Sequence, residues 1–110
     1  MMMTLTTKLT TLNRIKTITI MKLSKTLTII NKLGLHARAA TKLVQLANSY
    51  ECDIMLQQGD QEAPANSVLA LLMLESSQGK QINLMCEGKD AQKAMNDIEN
   101  LIANRFDEDE

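Results

Sequence analysis

Tryptophan is absent from this chain, and Tyr50 and Phe106 are its only aromatic residues. A core must therefore be built from Leu, Ile, Val, Met and Ala, and the aromatic clusters that stack single-stranded bases are missing. No apolar run approaches the roughly 20 residues needed to span a bilayer, so no membrane association is expected. Cysteine occurs twice, at Cys52 and Cys86, without C-x-x-C spacing and without a histidine nearby in sequence. Two such thiols are expected to be buried and unpaired in a reducing compartment. One histidine and two isolated cysteines also form a poor ligand set, so neither a metal nor a cofactor is expected.

A length of 110 residues accommodates one domain with a modest core. The net charge of −1 conceals an asymmetry. Residues 1–22 carry four basic and no acidic side chains, which leaves 8 basic against 13 acidic from residue 23 onward. The part expected to fold is thus acidic, which argues against a nucleic-acid partner. Residues 1–20 are Thr-rich and basic, without the continuous apolar stretch of a secretory signal. The expectation is a disordered arm or a misassigned gene start, with translation beginning at Met21. A transit peptide is the alternative. The domain is then expected over 21–106, and Asp107–Glu110 reads as a solvated acidic tail.

Hydrophobic periodicity divides that domain into seven elements. Leu23, Leu27 and Ile29 alternate with polar residues in a strand over about 23–30. From Ala37 to Tyr50, Ala40, Leu43, Val44 and Ala47 form one helical face. Cys52, Ile54 and Leu56 alternate in a second strand over about 52–58, and Gln57-Gln58-Gly59-Asp60 reads as a hairpin turn. Gln61–Ala65 is a short third strand that Pro64 confines to a sheet edge. Asn66-Ser67 is a plausible cap for Val68–Leu74, seven consecutive apolar residues of helix-forming type. So short a helix cannot bury every side chain, so some of Val68, Leu69 and Met73 are expected to stay exposed as a partner patch. Simple core placement is the other reading. Ile82, Leu84 and Cys86 alternate in a fourth strand closed by Gly88. Asp90 then caps a helix carrying Ala91, Ala94, Met95, Ile98, Leu101 and Ile102 on one side. The order β-α-β-β-α-β-α describes an α+β two-layer sandwich, with a four-stranded antiparallel sheet covered on one face by three helices. Ferredoxin-like modules share nearly this order, so it does not assign a function.

Chemistry concentrates in Gly34-Leu35-His36-Ala37-Arg38-Ala39. His36 is the only histidine, and it stands where a helix begins. The N–H groups of a first helical turn lack intrahelical partners, and the helix dipole favours an anion there. An imidazole in that place, with a guanidinium two residues on, suits a phosphoryl group. The plainer reading makes His36 a surface or capping residue and Arg38 an exposed side chain, although a cation at a helix start opposes the dipole.

Gly34-Leu35-His36-Ala37-Arg38 followed by Ala40 resembles the active-site motif of the histidine-containing phosphocarriers, the HPr family. The resemblance covers residues 23–106. Asn31–His36, Ala65-Asn66-Ser67-Val68, Ala70–Leu74 and the acidic ending after Phe106-Asp107 are most similar to its nitrogen-related branch, NPr. The resemblance implies an HPr-like open-faced sandwich and a cytoplasmic monomer that is not itself an enzyme. Such a carrier accepts phosphate from an enzyme I type protein and donates it to an enzyme IIA type protein. Carried onto this sequence, the phosphorylated atom is Nδ1 of His36, because neutral imidazole is a good nucleophile near neutral pH. Arg38 would pair with the phosphoryl oxygens, and the backbone N–H groups of Ala37 and Arg38 would add oriented donors. One position departs from the family: Ala39 stands where proline is usual, a change that removes no chemical group. Ser67 corresponds to a serine that is regulatory in some HPr proteins, and a helix cap is the structural alternative. Lys42 is either a docking lysine or an ordinary solvated one. The competing function is a regulatory binding module of the same fold that acts through the Val68–Met73 surface. A small acylphosphatase-like enzyme would need a phosphate-cradling loop that the sequence does not show.

Overall fold

The computed structural model describes residues 21–110, so the expectations for residues 1–20 lie outside the described residues. Four strands, β1 (Met21–Thr28), β2 (Cys52–Gln58), β3 (Gln61–Pro64) and β4 (Gln81–Gly88), form one sheet. Three helices, α1 (Ala37–Ala47), α2 (Val68–Met73) and α3 (Ala91–Ala103), interleave with them in the order the periodicity predicts. A short 3-10 turn, Arg105–Asp107, follows α3.

The spatial order is β1-β4-β2-β3, and every neighbouring pair is antiparallel. The last strand is therefore central. Cys86 opposes Leu23 on one side and Ile54 on the other, while Leu84 sits between Lys25 and Leu56. Leu56, Ile82, Leu84 and Cys86 are fully covered or nearly so. They meet Leu43 of α1 and Ile98 of α3, both also fully buried. Each large aliphatic side chain so buried contributes about 1.5–3 kcal/mol. Lys25 interrupts the apolar alternation of β1 on the helix-covered side. It stands on an edge strand and reaches Glu99 of α3 at 2.8 Å, so the charge is paired at the rim of the core. Pro64 lies on the other edge strand, where its missing N–H leaves no ladder bond unmade.

Several expected boundaries move. β1 runs two residues earlier than expected, and fully buried Ile29 follows it as an anchor. Its N–H donates to Lys80 O at 2.9 Å and its carbonyl accepts from Gly79 N–H at 2.7 Å, which docks two loops together. α1 stops at Ala47 and does not continue to Tyr50. There Ser49 donates through both its N–H and its hydroxyl to Leu46 O, a local alternative to continued helix. Tyr50 turns instead toward α3, where its hydroxyl donates to Asp97 at 2.5 Å. Burial, followed by the bond and charge of Asp97, pushes the phenol up to about 12. Asp90 precedes α3 as expected but does not cap it with its side chain, since its carboxylate accepts from Glu51 N–H at 2.8 Å. Of the two unpaired thiols only Cys86 is buried, and Cys52 is half-exposed at the start of β2.

Candidate functional site

Between β1 and α1 the chain turns through Asn31–Leu35 and presents His36 as the residue just before the helix. Gly34 makes this turn possible. Its φ is +70°, and a Cβ there would stand 2.5 Å from Ser76 O and 2.8 Å from Ser77 Cα. The loop thus lies directly on the 76–77 backbone, and Leu35 N–H closes the contact on Ser76 O at 2.8 Å. His36 N–H donates to Gly34 O at 3.0 Å, and His36 has extended backbone angles. Its own carbonyl accepts the first helical bond, from Ala40 N–H at 2.8 Å. The N–H groups of Ala37, Arg38 and Ala39 precede that bond and are left at the open end of α1. Ala39 and Ala40 are completely buried beneath them, while Ala37 and Arg38 are exposed.

The carboxyl-terminal residues return across this helix start. Arg105, Phe106 and Asp107 all have positive φ, between 53° and 65°. Three left-handed residues in sequence cost roughly 1–2 kcal/mol each. Complete burial of Phe106, the largest side chain in the core, offsets this, since loss of a buried phenylalanine costs about 3–5 kcal/mol. Lys42 secures the turn by donating to Phe106 O at 3.1 Å and to Asp107 Oδ2 at 3.3 Å. Lys32 N–H holds Glu110 O at 2.9 Å. Between these two clamps the Glu108 side chain, only 12% exposed, places one carboxylate oxygen on His36 Nε2 and the other on Asn31 Nδ2.

Burial works against the charge of Glu108. The hydrogen bonds from Asn31 and His36, with the nearby charges of His36 and Arg38, outweigh it and hold the carboxyl below its usual value. His36, Arg38, Lys32, Lys42 and the tail carboxylates line a cleft of about 760 Å³. The cleft is open and lined by charged groups of both signs, and its cationic side suits an anion. Among the described residues no group of three or more His, Cys, Asp or Glu side chains is arranged for a metal ion.

His36, Arg38 and Lys42, expected from sequence, come together in this cleft with Ala37. Lys42 is not an ordinary solvated lysine, because it anchors the tail. Within the tail expected to be solvated, Asp107, Asp109 and Glu110 are exposed, with Asp107 and Glu110 pairing with Lys42 and Lys32, whereas Glu108 is mostly covered and is held by Asn31 and His36. Ser67 caps α2, accepting from Ala70 N–H at 3.1 Å. On that helix Leu69 and Met73 stand 70% and 71% exposed, whereas Val68 is half-buried and Leu71 fully buried. Sequence reasoning missed Asn31 and Glu108. A buried loop asparagine is indistinguishable by type from a turn former. An isolated phenylalanine two residues before Glu108, in a chain almost without aromatics, was the one sign that this end is anchored.

Comparison with known proteins agrees with this geometry. Residues 23–104 match the family described as PTS HPr component phosphorylation site. The chain is 52% identical over 87 residues to the phosphocarrier protein NPr of Shewanella violacea, spanning 79% of this chain and 96% of that protein. It is 41% identical over 90 residues to phosphocarrier protein NPr of Escherichia coli, spanning 81% and 100%. Against phosphocarrier protein HPr of Cupriavidus necator the identity is 42% over 88 residues, spanning 80% and 99%. The crystal structure of an HPr from Thermoanaerobacter tengcongensis superposes with a TM-score of 0.77 at 33% identity, over 80% of this chain and 99% of that one.

Proposed function

The chain belongs to the HPr family of phosphotransferase-system phosphocarriers, and from that premise we propose that His36 is the residue on which it carries phosphate. A phosphocarrier holds and passes a group, and its partners in this system are enzyme I and enzyme IIA type proteins. The observation that carries the assignment is the position of the sole histidine. It stands immediately before α1, half-exposed, in a cleft that also holds Arg38.

Nδ1 of His36 is the acceptor atom. No described residue hydrogen-bonds to Nδ1, whereas Nε2 is occupied by Glu108. As phosphorus arrives, the first N–H groups of α1 and the Arg38 guanidinium meet its oxygens. These donors are exposed and contribute only modestly, as reversible transfer requires: a group bound too firmly would not leave. Leu69 and Met73, with Val68 at their margin and Lys42 beside the cleft, form the docking surface for both partners. Ser67 acts as the α2 cap. The nitrogen-related branch is favoured by the 52% identity to an NPr, in keeping with the resemblance of Asn31–His36 to that branch. The protein acts in the cytoplasm, where phosphoenolpyruvate and these partners meet, and as a monomer.

Intact mass after incubation with phosphoenolpyruvate and an enzyme I type protein tests the site. The full chain should gain one acid-labile phosphoryl group, and His36→Ala should gain none while keeping its melting temperature. Full uptake by His36→Ala would place the acceptor elsewhere. Onward transfer to a nitrogen-type IIA in preference to a sugar-type IIA tests the branch.

A further inference from the structure

Outside the Gly34–Arg38 motif, Glu108 meets the ring of His36, and Asn31 in turn holds Glu108. Asn31 is completely buried, and its Nδ2 donates to Gly34 O at 2.8 Å and to Glu108 Oε1 at 3.0 Å. A carbonyl and a carboxylate accept and cannot donate. The amide is therefore locked in one orientation, since a flip would set its oxygen against both. This orientation leaves Asn31 Oδ1 buried without a partner, which is destabilising. Its two donated bonds offset that cost. The remaining carboxylate oxygen, Glu108 Oε2, meets His36 Nε2. Because the carboxylate can only accept, the single proton of the neutral ring sits on Nε2, and the lone pair sits on Nδ1.

We propose that Asn31 and Glu108 are positioning residues for phosphoryl transfer, fixing His36 in the tautomer and ring orientation that leave Nδ1 free to attack. The proposal rests on His36 being the phosphoacceptor. In the step, the Nδ1 lone pair forms the bond to phosphorus while the bond from phosphorus to the donor atom breaks, and its electron pair leaves with the donor. The Nε2 proton remains on the ring, donated to Glu108 throughout. The ring gains positive charge as the bond forms, and the carboxylate opposite Nε2 offsets that charge. When the group moves on, the Nδ1–phosphorus pair returns to the ring and the same tautomer is restored. Neither residue needs to touch the phosphoryl group. The Phe106 and Lys42 anchors hold Glu108 in place for this purpose.

Glu108→Gln in the full chain tests the relay, and a single histidine makes the imidazole ¹⁵N signals unambiguous. Asn31 still offers a donor, so the glutamine carbonyl turns to Asn31 and its NH2 faces His36 Nε2. The ring must then accept at Nε2 and carry its proton on Nδ1, the unreactive tautomer. The expected result is a folded variant whose phosphate uptake from an enzyme I type protein is at least about tenfold slower. Its ¹⁵N pattern should also shift from Nε2-protonated toward Nδ1-protonated. A wild-type rate in Glu108→Gln overturns the proposal, as does a slow variant with an unchanged ¹⁵N pattern. Loss of uptake in His36→Ala alongside a wild-type rate in Glu108→Gln removes this proposal alone. Uptake by His36→Ala at the wild-type rate removes the acceptor assignment as well.

Discussion

Gly34→Ala tests whether the loop carrying His36 is held by the loop it rests on. An alanine at φ +70° costs about 1–2 kcal/mol from backbone sterics alone. Its Cβ would meet Ser76 O at 2.5 Å and Ser77 Cα at 2.8 Å, both backbone atoms that no side-chain rotation can move aside. The 76–77 segment must therefore retreat. The Leu35 N–H to Ser76 O bond, now 2.8 Å, is then stretched or lost, for a further 0.5–1.5 kcal/mol or about that. The total is about 1.5–3.5 kcal/mol, which for a domain of this size lowers Tm by roughly 6–28 °C. Gly59→Ala supplies the internal control. Its φ is +60° and nothing lies within 4 Å of the added Cβ, so only the backbone cost applies. Urea unfolding of both variants, with unchanged m values, separates the steric part from the conformational one. Phosphate uptake should slow in Gly34→Ala and not in Gly59→Ala, because Gly34 O is the shared acceptor for His36 N–H and Asn31 Nδ2. Equal destabilisation in the two variants would refute the argument that the loops are pressed together.

Other outcomes are expected from the same structure. Leu69→Glu should leave Tm unchanged, because Leu69 is 70% exposed, and should weaken binding of an enzyme I type protein in a calorimetric titration by about 1–3 kcal/mol. Ala39→Pro should be tolerated, with stability raised by up to about 1 kcal/mol in a thermal melt, because the N–H it removes lies before the first helical bond. A marked fall in Tm would mean that the proline ring does not fit at this completely buried position. Tyr50, the only tyrosine, should ionise near 12 in an ultraviolet titration. A pKa raised in the folded state makes its contribution to stability complete below about 10. That contribution is lost as pH rises toward 12, and Asp97→Asn should return the titration toward the ordinary range.

Much of the fold was legible along the chain because it rests on local periodicity. Strict alternation at Ile54-Leu56 and Ile82-Leu84-Cys86, and the stripe Ala94-Met95-Ile98-Ile102, mark faces that are buried in the structure. The Gly59-Asp60 hairpin and the Ser67 cap are likewise properties of a few adjacent residues. Boundaries were harder. Whether α1 continues past Ala47 depends on competition between helix and the Ser49 bonds to Leu46 O, a difference of tenths of a kcal/mol that composition does not resolve. Asp90 has the chemistry of a cap but faces Glu51, 39 residues earlier in sequence.

The sequence alone determined which residues stand together at the proposed site: one histidine, between a glycine and an arginine, at the onset of an apolar helical stripe. Those residues are neighbours in the chain, so no fold was needed to bring them together. Only the tertiary structure decided what holds the imidazole. Asn31, His36 and Glu108 meet because β4 enters the centre of the sheet, α3 packs over it, and Phe106 is drawn into the core at the end of α3. The left-handed turn at 105–107 then directs a carboxylate back across 72 residues of sequence to Nε2. That turn is unfavourable as an isolated segment, and burial of one aromatic ring in an assembled core is what selects it.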